Sequence, residues 1–411
     1  MNIGFVSTWL ERGATYVTKA YMEMLNKKHN LFVFARGGEY VDEKLKCEEA
    51  EVTYGYRLQG TDINWKQFKK WIVSNNIEMI IFNEQSSMNV VYNIRKYFPK
   101  ILIGAYIDYY KEDTINNFKY YHFLLCNTKR HYSVFSWHRG AFYLPWGCDL
   151  NKFYLRKRSQ NSDELVFFHS MGMSNRKGTD ILIKAFIDGN FVKKNAKLII
   201  HTQLDISNII SIEEAKNNNI FIINKIVSHP GLYYMGDVYV YPTTLDGLGL
   251  TIYEALASGL PVITTNEQPM NEIITDENGK LIDVKYYHSR KDAYYWPLSF
   301  VDEDSLIKCM NYYCNNRSQI IEYKKKARKY AEEKLDFKVV EEKLNKIMDE
   351  ICRNKQNFLE NNYFLEKPID KEYIEAKKII INKMIPDKIS DKIRKIKERN
   401  RYKDNERNYK R

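Results

Sequence analysis

The chain has 411 residues, of which 44% are hydrophobic and 14% aromatic; this excludes disorder for the bulk of it and exceeds what one typical core accommodates, so two domains plus extras are expected. Its formal charge is +12, and residues 353–411 hold 18 Lys/Arg against 10 Asp/Glu, so most of the basic excess belongs to this last segment. The six cysteines, Cys47, Cys126, Cys148, Cys309, Cys314 and Cys352, form no Cys-x-x-Cys pair and no metal-like spacing with His, a pattern that predicts reduced thiols in a cytosolic protein.

Residues 2–7 read as a first strand rather than a leader, and no apolar run nears the roughly 20 residues of a membrane span, so neither a signal nor a crossing helix is expected. A loop containing Gly13 leads into a helical pattern over 15–26. Strand-like runs recur at 31–34, 79–82, 101–103 and 123–126, between amphipathic stretches such as 65–75 and 90–98. Strands alternating with helices predict a parallel, doubly wound α/β sheet, whose ligand-facing residues lie on the loops after the strands. That selects Asn83-Glu84-Gln85, Asp108-Tyr109-Tyr110 and Asn127-Thr128-Lys129. Pro145 and Gly147 fit a tight turn, and the polar stretch 156–163 places a domain boundary.

The second half opens with a strand at 165–169, followed by Arg176-Lys177-Gly178 before a helical run. Further strands are predicted at 198–201, 220–223 and 238–241; His201 and His229 stand alone and read as packing or surface residues rather than metal ligands. After the last of these runs come Pro242, a Gly-containing loop, a helical pattern over 250–257, and a stop at Gly259-Leu260-Pro261. Such a strand–loop–helix unit puts the unpaired first N–H groups of the helix at the carboxyl edge of a sheet, where phosphate is the expected guest. Gly247 and Gly249 let the backbone approach closely, and Asp246 and Glu254 bracket the site.

Residues 286–300, rich in Tyr, His and Arg around Trp296-Pro297, read as a surface flap. Asp302 and Asp304 have the form of an Asp-x-Asp metal signature, but Asp304-Ser305 ahead of an amphipathic run fits a helix cap better. Helices are predicted over 305–313, 317–334 and 338–352. In the tail, Ile389, Ile393 and Ile396 share one helical face with Lys and Arg around them, and Pro386 suits a first helical position. Such a helix lies on anionic lipid, or else the segment is a solvated tail or a partner-binding helix. Nucleic acid is not an expected partner, because the basic excess is joined to no recognised module.

The run Asp246-Gly247-Leu248-Gly249-Leu250, then Glu254, then Ala255-Leu256-Ala257-Ser258-Gly259-Leu260-Pro261-Val262 resembles the retaining nucleotide-sugar glycosyltransferases of family 4, of the GT-B type. Those enzymes read Glu-Gly-Phe-Gly-Leu, a second Glu and Ala-Leu-Ala-x-Gly-x-Pro-Val, so Asp246 replaces their first Glu. Lys177-Gly178 matches their Lys-Gly; Gly172 or Met173 stands where they carry an Arg, which leaves Arg176 as the second cation. Residues 144–153 resemble their domain crossing, and Gly13 matches their glycine-containing first loop. Where many members carry a His after the strand at 101–105, this chain has Tyr106-Ile107-Asp108.

The resemblance implies two Rossmann-like domains facing a cleft: an acceptor domain over 1–155, a donor domain over 156–335, a helix over 336–352 packing back on the first domain, and a basic helical or partly disordered tail over 353–411. It implies a cytoplasmic hexosyltransferase without cofactor or metal, moving sugar from a nucleoside-diphosphate sugar to a hydroxyl of a glycan, lipid-linked or protein acceptor in bacterial-type surface glycan assembly, with residues 379–411 touching an anionic membrane. By the same resemblance Lys177, Arg176 and Asp246 are catalytic, Gly13, Gly247, Leu248, Gly249, Leu250 and Glu254 bind the donor, and Asp108 and Glu84 serve the acceptor. The departures at Asp246, at the missing Arg and at the missing His motivate a second class, a transferase-like binding or scaffold subunit without turnover; an epimerase is a third.

Overall fold

The structure, a computed structural model, describes residues 1–10, 13–37, 47, 50–56, 58, 60–156, 163–228 and 230–360. His229, residues 157–162 of the predicted boundary and the whole stretch 361–411, with its tail helix at 386–397, lie outside the described residues.

The first half builds a seven-stranded sheet from β1 (Asn2–Ser7), β2 (Asn30–Ala35), β3 (Glu51–Tyr54), β4 (Met79–Asn83), β5 (Leu102–Tyr106), β6 (Phe123–Cys126) and β7 (Ala141–Tyr143). Its order is β3-β2-β1-β4-β5-β6-β7, and every pairing is parallel. Strands such as Met79–Asn83 are buried along their whole length, as near-continuous apolar runs must be when helices cover both faces. The two-residue period of β1 does the sorting: Ile3 and Phe5 point toward α1 (Gly13–Leu25), and Val6 points toward α2 (Trp65–Ser74) and α3 (Asn89–Tyr97). Asn64 starts α2 by accepting the Gln67 N–H at 3.0 Å, and Phe68, Trp71 and Ile72 put its apolar stripe on the sheet. After β6 comes α4 (Lys129–Phe135), capped by the Thr128 hydroxyl, which accepts the His131 N–H.

The second sheet has six parallel strands, β8 (Leu165–Gly172), β9 (Ala196–Thr202), β10 (Ile220–Asn224), β11 (Val238–Tyr241), β12 (Val262–Thr265) and β13 (Gly279–Ile282), in the order β10-β9-β8-β11-β12-β13. It carries α5 (Thr179–Asp188), α6 (Ile212–Asn217) and α7 (Leu250–Ala257). The stretch predicted as a flap is an antiparallel hairpin, β14 (Val284–His288) with β15 (Leu298–Val301), and its tip reaches the first domain. The chain then runs through α8 (Glu303–Asn315) and α9 (Ile320–Tyr330) to α10 (Phe337–Arg353). Asp302, not Asp304, caps α8: its carboxylate accepts the Ser305 N–H at 2.9 Å, and the helix already starts at Glu303. On α10, Val340, Leu344, Met348 and Ile351 fall on one stripe and join the core that includes Met22 and Leu25 of α1.

In both sheets the first strand lies beside the fourth, so the chain winds outward in opposite directions from that pair. Ligands of such sheets bind in the crevice outside the carboxyl ends of the strands that flank this reversal. In the second sheet those strands are β8 and β11.

Candidate active site

The loop after β8 and the loop after β11 lie on each other. Gly178 holds φ at +71°, and a methyl group there would stand 2.1 Å from the Pro242 carbonyl oxygen. Thr244 N–H (2.8 Å) and Thr243 Oγ1 (3.0 Å) both donate to the Arg176 carbonyl. This contact brings Lys177 Nζ to 2.6 Å from Asp246 Oδ2, and the Tyr241 hydroxyl bonds to both groups. The side chains of Lys177 and Asp246 are 17% and 20% exposed, so the pair is largely, not wholly, removed from solvent. Burial by itself would raise the Asp246 pKa; the Lys177 charge and its hydrogen bond outweigh it and hold the carboxyl below its ordinary value. Arg176 is exposed, and its charge helps to lower the same carboxyl.

Gly249 (φ +78°) turns the chain into α7, whose first residue is Leu250. Gly13 opens α1 on the other side of the cleft, and a methyl group on it would lie 3.8 Å from Leu250 Cδ1. The starts of two helices from different domains therefore lie close together, and helix N-termini favour negative charge. Leu248 is buried in the core, so its contribution to this space is main chain. Glu254, one turn into α7, accepts a hydrogen bond from the Tyr233 hydroxyl at 2.5 Å; burial pushes its pKa up to about 7, against the pull of that bond.

On the facing domain, Asp108 follows β5, with Oδ1 only 2.1 Å from where a Gly247 Cβ would be. Burial pushes the Asp108 carboxyl up to about 7, with the charge and hydrogen bond of Glu84 adding to the rise. Glu84 holds φ at 52°, a left-handed backbone in the turn after β4. Its neighbours serve the scaffold: Asn83 Nδ2 donates to the Ala14 carbonyl (2.8 Å) and to Thr18 Oγ1 (2.9 Å), and Gln85 Nε2 donates to the carbonyls of Thr61 and Ser87. Asn127, another predicted cleft residue, is buried between the Tyr21 hydroxyl and the Leu144 carbonyl. Its amide satisfies core groups, so it does not line the cleft.

Sequence reasoning gave no site role to four residues: Arg130 and His131, which meet the loop from the first domain, and Tyr294 and Trp296, which meet the first domain from the hairpin. Arg130, 1% exposed, donates from Nη2 to the Asp246 carbonyl and from Nη1 to the Gln268 carbonyl, with its guanidinium 5.2 Å from the Trp296 ring centre. His131 Nε2 bonds to the Gly247 carbonyl at 3.0 Å and its Nδ1 to the Tyr110 hydroxyl at 2.8 Å; Trp296 Nε1 donates to that hydroxyl at 2.6 Å. From the hairpin, Tyr294 stacks on Tyr109 (5.1 Å between ring centres) and donates its hydroxyl to the Asp108 carbonyl at 3.2 Å. The available signal was position: Arg130 and His131 directly follow the capped loop after β6, at the functional edge of the sheet.

Among the described residues no group of three or more His, Cys, Asp or Glu side chains is arranged to hold a metal ion, and no helix is long and apolar enough to cross a membrane.

Residues 162–290, which include Lys177, Asp246 and Glu254, match the family profile described as Glycosyl transferases group 1. No curated protein matches the sequence. Among solved structures, sucrose-phosphate synthase from Thermosynechococcus elongatus aligns with a TM-score of 0.68 at 15% identity, covering 86% of this chain and 99% of that one. The Anabaena protein Alr3699/HepE, solved in complex with UDP, aligns at 0.63 and 12% identity, covering 85% and 99%. The apo form of the lipopolysaccharide outer core galactosyltransferase WaaB aligns at 0.60 and 13%, covering 85% and 99%. The two facing Rossmann-like domains are thus the GT-B fold.

Proposed function

We propose that this protein is a retaining glycosyltransferase that moves a sugar from a nucleoside diphosphate to an acceptor hydroxyl without a metal ion. The observation that carries the reading is Lys177 Nζ at 2.6 Å from Asp246 Oδ2, at the reversal point of the second sheet and beside the N-terminus of α7. The profile match over residues 162–290 and the likeness to a protein solved with UDP support it.

Breaking the bond between the anomeric carbon and the diphosphate oxygen builds negative charge on the leaving group. Lys177 and the amides from Leu248 to Leu250 meet that charge where water is largely excluded and fixed donors act most strongly, and the exposed Arg176 adds a second cation at the edge. Asp246 accepts from sugar hydroxyls and Glu254 from the ribose, while Gly13 leaves room for the phosphates between the domains. The acceptor oxygen bonds to the anomeric carbon on the face the phosphate leaves, and its proton passes to the leaving phosphate oxygen. Asp108 with Glu84 orients the acceptor hydroxyl from the first domain. The acceptor is a glycan, lipid-linked or protein hydroxyl, with residues 379–411 at an anionic membrane surface.

One observation favours a second reading, a binding subunit without turnover: Tyr106-Ile107-Asp108 stands after β5 where the resembled enzymes carry a His. Turnover assays decide between them. With UDP-, GDP- and ADP-sugars and a mixture of acceptors, the wild type releases nucleoside diphosphate, and Lys177→Ala lowers the rate by about 100-fold or more. Absence of release by the wild type, or a Lys177→Ala variant as fast as the wild type, rejects the transferase reading.

A further inference from the structure

The loop that ends in α7 is gripped from the opposite domain at two successive carbonyls. Arg130 Nη2 bonds to the oxygen of Asp246 and His131 Nε2 to the oxygen of Gly247, and both residues sit in the first turn of α4. We propose that Arg130 and His131 are positioning residues which set the donor loop from across the cleft, so that its ligand-facing amides are in place only when the domains are closed. This rests on the reading that the loop receives the donor's diphosphate.

The geometry is that of the trans peptide, in which the C=O of one residue and the N–H of the next point in opposite directions. Holding the Asp246 oxygen fixes the peptide from which the Asp246 side chain departs toward Lys177. Holding the Gly247 oxygen directs the Leu248 N–H away from His131. Because Gly247 has no side chain to restrict its peptide planes, an external anchor is what selects one orientation.

The hydrogen bonds also have a direction. Trp296 Nε1 can only donate, so its bond to the Tyr110 oxygen leaves the Tyr110 hydrogen for His131 Nδ1. His131 Nδ1 then accepts, and the ring's single proton sits on Nε2, which donates to the Gly247 carbonyl. Burial lowers the His131 pKa to about 3, with the Arg130 charge adding to the effect, so the ring stays neutral and this tautomer persists. The circuit begins on the hairpin of the second domain, passes through Tyr110 and His131 of the first, and returns to the second domain's loop; opening the cleft breaks it at both ends.

His131→Gln keeps a donor at the place of Nε2, whereas His131→Phe keeps volume and removes the donor. Affinities of the full chain for UDP, GDP and ADP are measured by calorimetry, and amide exchange of residues 246–251 by mass spectrometry. For whichever nucleotide the wild type binds, His131→Phe weakens binding about tenfold or more and speeds exchange of the loop, while His131→Gln stays within about threefold. Equal losses in the two variants, as a merely structural role would give, overturn the proposal, as does wild-type affinity in His131→Phe. Should His131→Phe not fold, Tyr110→Phe removes only the hydroxyl that orients the ring; faster loop exchange supports the proposal and unchanged exchange overturns it. If the wild type binds none of the three nucleotides while exchange still responds, the positioning role stands and the donor reading falls.

Discussion

At Gly178 two demands meet, a left-handed backbone at φ +71° and a Pro242 oxygen 2.1 Å from any added methyl. Gly178→Ala is expected to destabilise the protein by about 2–3 kcal/mol and to weaken nucleotide binding, since Lys177 and Asp246 meet through this contact; thermal denaturation and calorimetry together check it. The paired carboxyls give a pH test. The Asp108 pKa is raised from 3.8 to about 7 by burial and Glu84, so the folded state holds that proton more tightly than the unfolded one. Its stabilising contribution is full below about pH 4 and is lost as the pH rises to about 7. Asp108→Asn has no such loss, so the stability difference between variant and wild type shifts toward the variant from about pH 4 to about pH 8, by about 4 kcal/mol for a rise of about three pKa units. A difference flat with pH, in denaturant titrations, contradicts this. Lys177, Gly178 and Asp246 were singled out through the resemblance of their loops, and the structure brings those loops together. Arg130 and His131 were not, since their partners are main-chain carbonyls of a loop more than a hundred residues away.

Among the elements, those with strong periodicity were readable. The stripe Val340, Leu344, Met348 and Ile351 identifies α10, and Leu344 is 0% exposed against the first domain's core. Leu344→Ala is predicted to cost about 2–5 kcal/mol by the cavity it leaves, measured as a lower denaturation midpoint; a loss below about 1 kcal/mol contradicts the packing. The hairpin was read as a flap because β14 has its last four residues exposed, so there is no buried alternation to betray a strand. Short β3 and β7 were missed for a related reason: each is a sheet edge, only partly buried along its length. The α8 cap slipped by two residues because Asp302 and Asp304 both suit the position, and only the hydrogen bond from Ser305 N–H distinguishes them.

Over the whole molecule, alternating strands and helices pointed to a parallel, doubly wound sheet, and the resemblance carried by the run from Asp246 to Val262 pointed to two such domains facing a cleft. What the chain order could not convey is how firmly the halves are joined: Arg130, the Glu272 carboxylate that accepts the Lys129 and Arg130 N–H groups, and the Tyr109–Tyr294 stack all cross between them. These contacts depend on the relative placement of two domains, which local patterns do not encode. The central claim is that a nucleoside diphosphate binds between Lys177 and the start of α7. Thermal denaturation of the wild type and of Lys177→Ala with UDP-, GDP- and ADP-sugars tests it most directly. At a concentration about 100 times the dissociation constant, one nucleotide class should stabilise the wild type by about 2.7 kcal/mol and leave Lys177→Ala nearly unmoved. No stabilisation by any of them, or an equal shift in both proteins, would contradict it.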